Sequence, residues 1–154
     1  MILGIDPGTF QSAYVLYNIS PLGPQIVLKG LIPNDEIIAH IRVLIATYCF
    51  TAYIEDVGCY GMPVGREVFD MVRFSGRLQQ MFIEADIKCK FIPRREIKLY
   101  FCNSMKAKDG NIRQALIDRF GEPGTKKRPG MLYGVKADIW SALAIAVYGK
   151  EKGY

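Results

Sequence analysis

Three apolar segments of this chain each carry an acid at one end, and any fold proposed for it must account for all three. Ile2–Ile5 reads as a buried strand, yet it runs into Asp6 and turns at once through Pro7 and Gly8. The segment TAYIE (51–55) reads as another buried strand and ends on Glu55. Near the C-terminus, KADIWSALAIAVYG (136–149) reads as a helix opened by Asp138, where Asp138 and Ser141 are the only polar side chains between Ala137 and Val147. Singly, each acid has an ordinary explanation. Asp6 suits an Asx-turn before Gly8, Glu55 an exposed strand end, and Asp138 the positive end of a helix dipole.

Jointly they are harder to explain. If the two strands are parallel neighbours and the helix packs across them, all three acids meet at one sheet edge. Converging carboxylates repel one another, and a divalent cation is the usual compensation. Oxygen donors with few His or Cys select hard ions, so Mg²⁺ or Mn²⁺ is expected, two ions per site. Such a pair activates a water and stabilises the leaving oxygen in phosphodiester cleavage. Asp56 alternates to the other face of its strand and is left out of the site.

The remaining segments suggest an α/β layered domain spanning 1–154. Half of the 154 residues are hydrophobic, enough for a globular core. SAYVLYNI (12–19), QIVLKGLI (25–32) and IKCKFIP (87–93) read as strands. Helices are expected over 35–49, with Asn34 and Asp35 as starters, and over 66–86, 94–102 and 108–121. The 66–86 helix is apolar on more than one face, which suits burial in one core or contact with another subunit. EPGTKKRPG (122–130) reads as a flexible basic loop. The four cysteines, Cys49, Cys59, Cys89 and Cys102, form no CxxC pair, and His40 is the only histidine, so a zinc site is not expected. Reduced thiols in a cytoplasmic setting, with no membrane association, are the natural expectation.

The net charge of +5 favours a polyanionic partner. Candidate phosphate contacts are Arg94, Arg95, Lys98, Lys106, Lys108, Arg113, and the loop residues Lys126, Lys127 and Arg128.

The segments GIDPGT, TAYIE and ADIWSALAIA, in this order and spacing, resemble RuvC-type Holliday junction resolvases. The wording YGMPVGREVF with GVKADIW is most similar to phage-borne members of that group. The resemblance implies a ribonuclease H-like fold, a mixed five-stranded sheet flanked by helices. It also implies a homodimer cutting opposed strands of a four-way DNA junction with Mg²⁺ or Mn²⁺, in a bacterial cytoplasm. Asp6, Glu55 and Asp138 match the family's metal-binding catalytic carboxylates. In the loop after Glu55, Tyr60 is the one aromatic available to stack at a junction centre.

One position departs from the family pattern, which places a second Asp three residues into the last helix. This chain has Ser141 there. Ser141 either holds a metal-bound water or packs as a small helix residue. Asp109 is a conceivable replacement acid, although nothing in the sequence places it nearby. Two further readings stay open: a nuclease of the same fold acting on RNA or RNA–DNA hybrids, and a junction-binding protein without catalysis.

Overall fold

A computed structural model describes residues 1–58, 61 and 63–152. The chain runs β1 (Ile2–Asp6), β2 (Gln11–Ser20), β3 (Gly23–Pro33), α1 (Asn34–Thr47), β4 (Thr51–Asp56), α2 (Arg66–Glu84), β5 (Cys89–Pro93), α3 (Arg94–Cys102), α4 (Asp109–Phe120), β6 (Gly124–Thr125), β7 (Arg128–Pro129) and α5 (Ile139–Lys152). Five strands form one mixed sheet in the order β3-β2-β1-β4-β5. β1, β2 and β3 pair antiparallel, whereas β1, β4 and β5 are parallel.

Alternation along the central strands sorts their side chains into two cores. Leu3 and Ile5 of β1, with Ala52 and Ile54 of β4, pack against Ile37 and Ile41 of α1 and Leu78 and Phe82 of α2. Ile2 and Tyr53 face the other way, into a core built from α3, α4 and α5. The result is a three-layer α/β/α arrangement. Both faces of β1 and β4 are covered, which explains their nearly unbroken apolar composition.

α5 is buried along nearly its whole length, from Ile139 to Gly149 apart from Ser141, so it has no polar face to present to water. It lies directly on β1. A Cβ built at Gly4 would stand 2.3 Å from the Ala142 carbonyl oxygen and 2.8 Å from the Ala146 Cβ. Only a glycine lets the helix backbone come so close.

Three sequence expectations are refined or corrected. Asn34 starts α1 as expected, but its side chain caps nothing, since the N-cap is Pro33 with no side-chain cap bond. Its amide donates instead to the carbonyls of Gly8 (2.9 Å) and Thr9 (3.2 Å), and it accepts from the Ser12 hydroxyl (2.7 Å). Local propensity marked a helix start, but the unsatisfied carbonyls of the β1–β2 turn claimed the side chain. Second, 122–130 is an ordered hairpin: β6 and β7 pair antiparallel with Lys126 and Lys127 at the tip. Gly124 has φ +76°, and a Cβ there would stand 2.3 Å from the Arg128 carbonyl oxygen, so its glycine serves close strand approach rather than looseness. Third, Asp138 lies one residue before α5 rather than within it, although its carbonyl accepts the Ala142 N–H of the first turn at 3.0 Å.

Among the described residues no helix is long and apolar enough to cross a membrane.

Candidate active site

The parallel pairing of β1 and β4 sets the site. Their last matched positions are Ile5 and Ile54, so the next residue on each strand is an acid, Asp6 beside Glu55. Both lie on the α5 face, two residues beyond Gly4 and Tyr53 respectively. The close seat of α5 on Gly4 then brings the start of that helix over the same strand ends. Asp138 lies within electrostatic reach of Asp6, and Ser141 is near enough to oppose the rise in the Asp6 pKa. The Asx-turn explanation for Asp6 is not needed, because the Gly8 N–H donates to Ser12 instead (3.3 Å). Asp56 is exposed and outside the site, as side-chain alternation requires.

Sequence reasoning missed the cation at the centre. Pro93 ends β5 and Arg94 begins α3, two residues beyond Ile92, which pairs with Glu55. Arg94 Nη1 donates to both Glu55 oxygens, at 2.9 and 2.8 Å, and Nη2 pairs with Asp109 at the start of α4. Arg94 was a candidate for DNA phosphate; its guanidinium is committed to these acids instead. Asp109, which the sequence could not place, is thereby tied into the site. No sequence signal could have found this pair, because the contact depends on how β5 hands over to α3.

The electrostatics follow from burial. Glu55 is only 9% exposed. Burial pushes the Asp6 carboxyl up to about 7, with Glu55 and Asp138 adding to the rise and Arg94 and Ser141 opposing it. Burial also raises Glu55, against the pull of Arg94. For Arg94, burial works against the charge, but Glu55 and Asp109 more than offset it and keep the guanidinium protonated. A carboxyl whose pKa is higher folded than unfolded binds more protons in the native state, so its stabilising contribution is lost as pH rises. The metal-free protein should therefore lose thermal stability between about pH 4 and 7. Melting curves across that range should show the fall, and Asp6→Asn should flatten it. An equally steep fall in the variant would show that Asp6 is not its source.

Next to the acids lies a cleft of about 330 Å³, lined by Asp109, Arg113, Asp138, Trp140 and Ser141 among others. The Arg113 guanidinium stacks over the Trp140 ring at 5.0 Å. Of the other candidate cations, Lys106, Lys108, Lys126, Lys127 and Arg128 are all exposed, with Lys108 at the N-cap of α4. Lys98 is close enough to lower the Glu55 pKa. Tyr60 lies outside the described residues.

Among the described residues no three His, Cys, Asp or Glu side chains form a ready metal cage. Arg94 spans the Glu55 oxygens that such a cage would use. The donor chemistry still fits a hard divalent ion. Asp6, Glu55 and Asp138 supply only oxygen, and Arg94 Nη1 shows that Glu55 already presents both oxygens to a single cation.

No family model matches the sequence, and no curated protein matches it significantly. Solved structures do match. RuvC of Thermus thermophilus in complex with a Holliday junction substrate superposes with a TM-score of 0.73, at 15% identity over 97% of this chain and 92% of that one. A second Thermus thermophilus RuvC structure gives 0.66, at 16% identity over 98% and 96%. The Fowlpox virus resolvase with Holliday junction DNA gives 0.52, at 13% identity over 99% of both chains. With its mixed five-stranded sheet flanked by helices, the chain has the ribonuclease H-like fold of the RuvC-type Holliday junction resolvases.

Proposed function

We propose that this protein is a metal-dependent endonuclease, working as a single RuvC-like domain, that resolves four-way DNA junctions by paired phosphodiester hydrolysis. The observation that carries this reading is Asp6 beside Glu55 at one end of the sheet, with Asp138 within electrostatic reach, in a fold that superposes on a RuvC solved with its junction. Asp6, Glu55 and Asp138 would hold Mg²⁺ or Mn²⁺, which when bound activates water and stabilises the leaving oxygen. Ser141 lies close to Asp6, where it could hold a metal-bound water. Arg113, braced on Trp140 at the cleft wall, presents a guanidinium to a phosphate. Lys106, Lys108 and the hairpin residues Lys126, Lys127 and Arg128 supply exposed positive charge for the flanking backbone. Tyr60 is retained as the candidate stacking residue.

Paired cuts on opposed strands require two copies of the site, and α2 offers a surface for a homodimer. Phe69, Val72 and Ile83 are 54%, 47% and 60% exposed. At 100° per residue they fall, with Gly76, on one outward stripe about 60° wide. An exposed apolar stripe of this kind marks an interaction surface. Sedimentation of the wild-type chain should give a dimer, and Phe69→Glu a folded monomer. A wild-type monomer at every concentration would remove the basis for paired cutting.

The decisive assay offers matched four-way junction, duplex and RNA–DNA hybrid with Mg²⁺, Mn²⁺ or EDTA. Symmetric paired nicks in the junction alone, dependent on metal, are expected. Preferential cleavage of the hybrid would move the substrate class. Junction binding without cleavage under either metal would leave a binding protein only. Binding titrations across salt test the hairpin: replacing Lys126 and Lys127 by Ala should reduce the slope of log K against log salt by about 0.9 for each phosphate no longer neutralised.

A further inference from the structure

We infer that Arg94 is a built-in cation of the acidic site, standing where a second metal ion would sit, so that each chain binds one divalent ion rather than two. The inference rests on the reading of Asp6, Glu55 and Asp138 as metal ligands, and it revises the two-ion expectation drawn from the sequence.

Three observations carry it. Arg94 Nη1 lies almost equidistant from the two Glu55 oxygens, at 2.9 and 2.8 Å, between them as a chelated ion would be. A metal ion and this nitrogen cannot share that place. The guanidinium is also held rather than loosely docked. Its other nitrogen pairs with Asp109, its side chain is 30% exposed, and its backbone begins α3 directly after β5. Third, the position where the family pattern has another Asp carries Ser141, which brings no charge.

A guanidinium suits the post because it stays protonated at any working pH and offers two nitrogens to two acids.

The test counts ions rather than turnover. Metal-free full-length protein is titrated with Mn²⁺ and bound ion is measured by electron paramagnetic resonance and calorimetry. Wild type should bind one Mn²⁺ per chain, Arg94→Gln two, and Arg94→Lys, which keeps the charge, one. Two ions in wild type would overturn the inference, as would a single ion in a folded Arg94→Gln. Should Arg94→Gln fail to fold, the wild-type count and Arg94→Lys still decide. Junction cleavage run in parallel separates the two levels of interpretation. Two ions with cleavage intact sinks only the role of Arg94, whereas no bound Mn²⁺ and no cleavage sinks the metal-nuclease reading beneath it.

Discussion

Asp6→Asn is expected to slow four-way-junction cleavage by about 10³-fold or more, equivalent to about 4 kcal/mol of transition-state stabilisation. Junction affinity should stay within about threefold of wild type, because asparagine keeps the shape of the side chain and every DNA contact stays in place. Single-turnover cleavage of a labelled junction and anisotropy without metal measure the two quantities. The same substitution should raise the melting temperature of the metal-free protein near neutral pH. Asp6 is buried beside Glu55 and Asp138, and burial together with those charges pushes its carboxyl up to about 7. Removing a charge that the fold disfavours relieves the strain on the strand end. Loss of cleavage combined with gained stability is the signature of a functional acid. Loss of both would make Asp6 a structural residue, and unchanged cleavage would place the chemistry elsewhere.

The second large effect is on folding. Gly4→Ala is expected to destabilise the protein by about 3 kcal/mol or more, at or beyond the upper end of the overpacking range. The added carbon would stand 2.3 Å from the Ala142 carbonyl oxygen and 2.7 Å from the Ala146 amide nitrogen, and these are backbone atoms that no rotamer change can move. α5 would have to lift from the sheet. Asp138 and Ser141 ride at its start, so whatever folds should also bind the divalent ion more weakly. Gly110→Ala is the control: nothing lies within 4 Å of a carbon added there, within α4. It should be neutral or stabilising by about 0.4–1 kcal/mol. Urea unfolding of the two variants reads the contrast, and equal midpoints would show that α5 does not need its close seat on β1.

Much of the fold was legible because its segments are locally consistent. The run Ile2–Ile5 and the apolar stretch of β4 match strands buried on both faces, and the periods within α1 and α4 match helices packed on one side. The acids stood out jointly: each sits at the end of an apolar run, and only their convergence lacks a local explanation. Where reading by segment failed, a long-range partner had overruled a local preference. Asn34 starts α1 as its type suggests, yet its side chain became the tie that closes the turn after Asp6. The glycines and prolines of 122–130 looked like looseness and instead permit close pairing of β6 with β7.

The amino-acid sequence by itself determined the five strands of the main sheet and the five helices, though not the β6–β7 hairpin, and that three acids stand at the ends of apolar segments, since these follow from periodicity and from the cost of exposing apolar or burying charged groups. The tertiary structure alone decided what balances those acids. Glu55 meets Arg94 across 39 positions of chain, and Arg94 meets Asp109 across 15. Local propensity carries no information about such contacts. They exist because β4 and β5 pair in one register and α3 leaves the sheet at Pro93, which sets a positive charge against a buried carboxylate that would otherwise have no partner.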